Sequence, residues 1–386
     1  MAKTGPVGVG VIGAGFVSNT YLQNLRSFPD TEVLAVADLF PDAARARAEE
    51  HGVPTGGGVD AVLDNPDVEL AINLTIPAAH AEVAAQVITA GKHVWNEKPL
   101  ALDRASGRRL LEAADAAGLR VGCAPDTFLG AGLQTTRRLL ESGVIGTPLT
   151  ALFLMQNPGP DRWHPNPAFL FQEGAGAAVD IGPYYLTALV QMFGPVAAVA
   201  AIESKARDIR TVHTGPRAGQ EFPVTVASQT ASLTRFESGQ SLTMLLSFDS
   251  AVPRILLEIT GSEGTMLLPD PNRFAGEIKV WKTGAEDWET LATATQLSSR
   301  GIGALDMARA IREGRAQGKL AYHVLDIMVS TAESSERGEL VPVESTVQPA
   351  PLLPDGWDPK AATLRVDAEQ SAPRCWLEAE QIQSQL

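Results

Sequence analysis

Cysteine is almost missing. Cys123 and Cys375 are the only two in 386 residues, so no disulfide framework holds the fold and a reducing compartment suits the composition. A single bridge between the two stays open. Basic residues are outnumbered, 31 Lys and Arg against 45 Asp and Glu, for a net charge of −14. That disfavours nucleic acid as a partner, because phosphate binding needs a basic face; the plain role of the excess acid is solubility. No apolar run approaches the roughly 18 to 20 residues that cross a bilayer. The chain passes from Met1-Ala2-Lys3 straight into an apolar strand-like run, without the pattern of a secretory leader. No membrane association and a cytoplasmic location are therefore expected. The two cysteines lie far apart and the six histidines show no ligand spacing, so no metal is expected. No Gly-x-Ser-x-Gly nucleophile turn occurs either.

What is present is the material of a globular protein: 45% hydrophobic and 20% charged residues. The length suffices for about two or three domains. In residues 1–125, strand-like runs (7–12, 32–37, 70–74, 93–95, 119–123) alternate with helix-like ones (around Tyr21, Leu22 and Leu25, then 41–51, 78–90 and 104–117). Gly91 and Gly118 close the last two helices. Such alternation builds a parallel sheet with helices on both faces. After a further helix at 132–142, β-rich runs dominate: 149–156, 196–203, 224–236, 241–248, 255–260, 265–268 and 278–281. Short turns join several of them, which implies hairpins and a mostly antiparallel sheet. Helices return at 303–313 and 321–337. The expected organisation is thus a doubly wound α/β domain over 1–125, an α+β domain over 126–344, and an extended arm over 345–386 that crosses the surface or a neighbouring subunit.

Gly13-Ala14-Gly15-Phe16-Val17-Ser18 lies directly after the first strand and before the first helix. The first glycine permits a tight turn, the second lets backbone approach a pyrophosphate, and the helix start offers free N–H groups to the anion. Ser18 is small enough for close helix–strand packing. Asp38, at the end of the second strand, suits the two ribose hydroxyls and repels a 2′-phosphate, which favours NAD; Arg45 and Arg47 keep NADP possible.

The run Ala90-Gly91-Lys92-His93-Val94-Trp95-Asn96-Glu97-Lys98-Pro99 ends a strand at the carboxyl edge of the sheet, where ligands of open α/β sheets bind. Pro99 stops the strand and biases Lys98 toward extended backbone. An ammonium at that place can hydrogen-bond a reacting hydroxyl and stabilise alkoxide character as hydride leaves. Further on, Asp180 and Tyr184 stand at i and i+4, which brings them near each other if 181 onward is helical. Pro183 in a first turn would lose no helix bond. A cation beside the phenol lowers its pKa, so a Lys98–Tyr184 pair is expected to work near neutral pH, with either taking the substrate proton.

Together with Thr75-Ile76-Pro77-Ala78-Ala79-His80 and Gly174-Ala175-Gly176-Ala177-Ala178-Val179-Asp180-Ile181-Gly182-Pro183-Tyr184, these motifs resemble the Gfo/Idh/MocA oxidoreductases. The resemblance implies a Rossmann domain followed by a sheet-rich domain, and no metal in hydride transfer. It also implies Glu97 on the nicotinamide side, with Gly13, Gly15, Phe16, Val17, Asp38, Thr75, Pro77, His80 and Lys98 around the dinucleotide. Sheet-to-sheet pairing into homodimers or homotetramers is implied as well. The family usually places histidine four residues after the aspartate; this chain has Tyr184. His164, in Asp161-Arg162-Trp163-His164-Pro165-Asn166-Pro167, is the other candidate base, and Arg162, Trp163 and His164 suit hydrogen bonding and stacking on a sugar. Asp126, after the last strand of the first domain, is expected to face the same cleft; Arg300 and His323 are weaker substrate candidates. The leading expectation is hydride transfer on a secondary alcohol or ketone of a sugar, glycoside or polyol. An NAD-dependent glycosidase acting by transient oxidation, and a non-catalytic dinucleotide- or sugar-binding regulator, stay open beside it.

Overall fold

The computed structural model describes residues 4–293, 299–315, 319–354 and 356–364. Cys375 and the arm beyond 364 lie outside the described residues. The N-terminal part carries β1 (Val7–Ile12), α1 (Ser18–Leu25), β2 (Thr31–Ala37), α2 (Pro41–His51), β3 (Thr55–Gly57), α3 (Asp60–Leu63), β4 (Leu70–Asn73), α4 (His80–Thr89), β5 (His93–Asn96), α5 (Arg104–Ala116) and β6 (Val121–Cys123). The six strands are parallel in the order β3-β2-β1-β4-β5-β6. Every residue of β1 and β4 is buried, as helices on both faces require. The order reverses between β1 and β4, so their carboxyl ends open the crevice where the glycine turn sits.

The second part contributes α6 (Ala131–Glu141), β7 (Pro148–Gln156), α7 (Ala177–Phe193), β8 (Val196–Ser204), β9 (Ile209–Thr211), β10 (Glu221–Pro223), β11 (Gln229–Phe236), β12 (Ser241–Ser247), β13 (Arg254–Gly261), β14 (Gly264–Leu267), β15 (Ile278–Lys282) and β16 (Glu289–Leu291). Then come α8 (Ile302–Glu313), α9 (Leu320–Arg337) and β17 (Val341–Pro342). Nine strands form one sheet in the order β16-β15-β14-β13-β7-β12-β11-β8-β17, parallel only between β7 and β12. β11 alternates buried and exposed residues along its length. Its inner face joins α7 and α9 in the core around Phe153, Tyr185 and Phe236; β9 and β10 pair separately.

Two features depart from the sequence reading, and a third decides between alternatives it left open. The strands β3, β9, β10 and β16 have three residues each, too short to set up a periodic pattern. Helix α7 starts at Ala177, capped by Gly176, so Asp180 lies inside its first turn and Pro183 lies in the second. There Pro183 does remove a helix bond, the one Val179 carbonyl would accept. Finally, the arm crosses its own chain: Leu353, Trp357 and Leu364 pack on the N-terminal core, and Arg309 joins Asp30 to the carbonyls of Asp358 and Ala361.

Candidate active site

The glycine turn has the form a dinucleotide needs. Gly13 has φ +109°, and a Cβ there would meet the Leu74 carbonyl oxygen at 2.7 Å. Gly15 faces open space, so a ligand can come within backbone reach. Ser18 is fully buried, its hydroxyl donating to the Gly15 carbonyl at 2.7 Å. No side chain caps α1, which leaves its N-terminal N–H groups directed at the crevice. Asp38 accepts from Ala14 N–H at 2.7 Å and Phe40 N–H at 2.9 Å. Phe16, Leu39, Phe40 and Ile76 stand well exposed around this turn, apolar surface of the kind that planar rings cover. The residues present fit NAD. Arg45 pairs with Asp42 at the exposed surface, and Arg47 with Glu50 and the Ala14 carbonyl.

Thr75 bonds Asn73 through its hydroxyl at 2.7 Å and leads into a short 3₁₀ turn that begins at Pro77. His80 departs from expectation. It is only 1% exposed and its ring bridges the carbonyls of Pro99 (2.7 Å) and Thr75 (3.0 Å). It therefore ties the Thr75 turn to the Lys98-Pro99 turn rather than touching a ligand itself. Burial lowers its pKa.

At the end of β5 the Glu97 carboxylate accepts from the Tyr21 hydroxyl and from Lys98 N–H, each at 3.0 Å. Lys98 Nζ reaches across to α7 and donates to Asp180 Oδ1 at 2.5 Å and to the Asp180 carbonyl at 2.7 Å. Burial works against the ammonium, but Asp180, then Tyr184 and Glu97, outweigh it and hold the Lys98 pKa above the ordinary lysine value. The same Nζ lies 5.4 Å from the centroid of the Tyr184 ring. This is a cation–π placement, not a hydrogen bond to the hydroxyl. Burial raises the Tyr184 pKa and exceeds the opposing pull of Lys98 and Arg300. The expected lowering of this phenol toward neutrality is thus reversed: desolvation wins over the cations.

Three more expectations change. Asp126 is fully buried, and its Oδ2 accepts from Gly301 N–H at 2.7 Å and Gly303 N–H at 3.1 Å. It fixes the start of α8 and does not face the cleft; burial pushes its pKa up to about 6. His323 is fully buried between Val196 N–H and the Ser345 hydroxyl, out of reach of a substrate. His164 accepts from Asn166 N–H at Nδ1, 3.0 Å. A neutral ring so held carries its proton on Nε2 and is a donor there; burial lowers its pKa and keeps it neutral. Trp163 and Phe169 flank it edge-on, and Arg162 and Trp163 are exposed.

Two contributors escaped the sequence reading. Tyr21 looks like an ordinary apolar position of α1 but is the buried donor to Glu97. Arg210 holds the 157–167 loop from inside, bonded to Asp161, Asp249 and the carbonyls of Pro158 and Phe248.

Residues 7–124 match the model of an oxidoreductase family with an NAD-binding Rossmann fold (GFO_IDH_MocA), and residues 133–267 match the GFO/IDH/MocA C-terminal domain. Over 351 residues the chain is 28% identical to inositol 2-dehydrogenase 3 of Saccharopolyspora erythraea, across 87% of this chain and 95% of that protein. It is 33% identical over 185 residues to dTDP-3,4-didehydro-2,6-dideoxy-alpha-D-glucose 3-reductase of Streptomyces violaceoruber, across 46% of this chain and 52% of that one. Among solved structures, levoglucosan dehydrogenase in complex with NADH and L-sorbose shares the fold with a TM-score of 0.76 at 22% identity, across 87% of this chain and 98% of that chain.

Proposed function

Because the chain belongs to the Gfo/Idh/MocA oxidoreductases, we propose that Lys98 and Asp180 act together on a secondary alcohol, or the matching ketone, of a sugar or polyol. The observation that carries this is the 2.5 Å contact from Lys98 Nζ to Asp180 Oδ1 at the carboxyl edge of the sheet. Two of the three ammonium N–H groups go to Asp180, and the third is left for the carbinol oxygen. Bound NAD supplies the hydride acceptor, or as NADH the donor. As the C–H bond breaks, the hydroxyl proton passes to Nζ while Nζ hands a proton to Asp180 Oδ1. The pair ends with the proton, and the substrate ends as a carbonyl. Asp180 is 20% exposed, which opens a route for that proton to solvent. His164 Nε2–H donates to a sugar hydroxyl, and Trp163 offers an apolar face.

Asp38 supports NAD over NADP. The test is a screen of NAD and NADP reduction across pyranoses, glycosides and inositols, with Lys98→Ala as control. Reduction of NAD lost by about 10²- to 10³-fold in the control is the expected result. Cleavage of glycosides without net NADH would replace this reading by the glycosidase, and NAD binding without turnover on any of the panel by the regulator.

The outer face of the large sheet supports association of copies. Ile202, Ala231, Leu245, Leu154 and Leu256 lie in register across β8, β11, β12, β7 and β13 on that face. We read this apolar row as the contact of a homodimer or homotetramer.

A further inference from the structure

Arg300 differs in its company from four arginines that anchor the interior. Arg104 meets Asp326 and Glu333, Arg210 meets Asp161 and Asp249, Arg309 meets Asp30, and Arg312 meets Glu69. Pairing of this kind is the rule, because a buried cation without a counter-charge loses its hydration uncompensated. Arg300 is half-buried and forms no ion pair among the described residues. Its Nη2 donates to the neutral Asn272 amide oxygen at 2.9 Å, and Nε and Nη1 make no hydrogen bond with any described residue. Glu97, Asp126 and Tyr21 are in electrostatic range. Glu97 accepts from two neutral donors, the Tyr21 hydroxyl and Lys98 N–H, and Asp126 Oδ2 from Gly301 and Gly303 N–H, while Asp126 Oδ1 has no partner among the described residues.

The position of this guanidinium matters. Its Cζ lies 5.4 Å from the centroid of the Tyr184 ring, the ring that Lys98 Nζ approaches at the same distance. Arg300 and Lys98 therefore stand against the same aromatic ring. Lys98 has Asp180 in direct contact as its counter-charge, whereas Arg300 has only the more distant charges of Glu97 and Asp126. One edge of its planar fork meets no described residue, the geometry that takes a carboxylate through two parallel hydrogen bonds.

We propose that Arg300 receives a carboxylate of the substrate, so that the preferred substrates are sugar acids, uronates or aldonates, rather than neutral sugars. This rests on the hydride-transfer reading above. The other source of an anion is the cofactor pyrophosphate. That group has its own donors at the glycine turn; the Arg300 side chain is held by Asn272 and Tyr184 of the sheet-rich part of the chain, and its carbonyl by Asn24 of α1.

The test compares kcat/KM for hexuronates and aldonates with that for their methyl esters and parent neutral sugars, in the wild type and in Arg300→Leu and Arg300→Lys. The wild type should prefer each acid over its ester on the order of 100-fold, the worth of charge-assisted hydrogen bonds to a buried cation. Arg300→Leu should turn over acid and ester alike, and Arg300→Lys, which keeps the charge without the fork, should fall between. NADH affinity, titrated by fluorescence, should be the same in all three proteins. Equal use of acid and ester by the wild type overturns the proposal, and so does weakened NADH binding in Arg300→Leu, which would assign the anion to the cofactor. Turnover of no sugar, acid or neutral, by an NADH-binding wild type overturns the hydride-transfer reading itself. Should Arg300→Leu fail to fold, the acid–ester comparison in the wild type decides alone.

Discussion

The Lys98 ammonium spends two of its N–H groups on Asp180, one on the carboxylate and one on the carbonyl. That carboxylate is what keeps the lysine pKa high against burial. Replacing it by a neutral amide removes the pull, so in Asp180→Asn the Lys98 pKa falls and the alkaline limb of kcat/KM moves to lower pH, along with a loss of rate. An alkaline limb that stays in place would separate the two residues. Tyr184→Phe gives the contrasting outcome. Its phenol sits above its ordinary pKa and receives no hydrogen bond from Lys98, so its loss should lower kcat by well under the roughly 100-fold that a missing general base costs. Lys98 and Asp180 were legible in the sequence because a strand-end lysine before proline and an aspartate near a helix start each have a local pattern. Tyr21 was not, since Tyr21, Leu22 and Leu25 read as one apolar stripe and the hydroxyl leaves no trace in periodicity. Asp126 was misread for a related reason: the strand-end rule gives the region of the cleft, but not whether a given carboxylate turns inward. Its burial has a stability consequence. With its folded pKa raised to about 6 from an ordinary 3.8, the folded state resists ionisation, so stability is lost as pH rises from about 4 to about 6. The loss is about 3 kcal/mol at 1.36 kcal/mol per unit. Asp126→Asn keeps an acceptor for Gly301 and Gly303 and has nothing to ionise. Urea unfolding at pH 4 and pH 7 should therefore show the variant gaining on the wild type at the higher pH.

Between residue and domain, the telling element is the loop of residues 157–167 with the β9–β10 pair laid over it. Trp163 and His164 sit on this loop, yet its hold on the fold comes from Arg210 on β9, 1% exposed, between Asp161 and Asp249. His213 N–H donates to the Asp161 carbonyl, and Arg217 reaches Asn166, so the pair of strands clasps the loop twice more. None of this was legible, because the partners of Arg210 lie 49 and 39 residues away and no spacing links them. Helix α7 entered the sequence reading only as a condition from residue 181 onward, and its start at Ala177 puts Pro183 a turn deeper than that condition supposed. Removing the Arg210 charge leaves two carboxylates facing each other in the interior, a change that costs about 3 to 5 kcal/mol. Arg210→Met should accordingly unfold at lower urea concentration. If the clasp positions the sugar face, it should also raise KM for sugar while NADH affinity stays put. An unchanged KM would make the clasp purely structural.

At the scale of the whole molecule, distant parts of the chain meet: Asp30 of the first domain accepts from Arg309, Thr363 and Leu364. The described part of the C-terminal arm thus stabilises the N-terminal domain from outside, and no described residue of it covers the outer face of the large sheet. On that face Ile202 is 75% exposed and Leu233 60%. The mostly antiparallel pairing of the sheet was legible from hairpin turns, and the open face follows from the placement of α7 and α9 on the other side. Five strands at about 4.8 Å spacing and about 25 Å of strand length give roughly 600 Å² per copy. A stable interface needs about 800 Å² per partner, so the flanking strands β14 to β16 or the loops at the sheet ends must add to it. A carboxylate in the middle of such a face meets its symmetry mate or an apolar neighbour once copies pair, and is hydrated when they do not. Leu233→Glu should then run as a monomer in light scattering at micromolar concentration, where the wild type runs as a dimer or tetramer. Because Leu233 points to solvent in the single chain, the variant should keep its far-UV circular dichroism. A wild type that is itself monomeric under those conditions would leave the apolar row without this role.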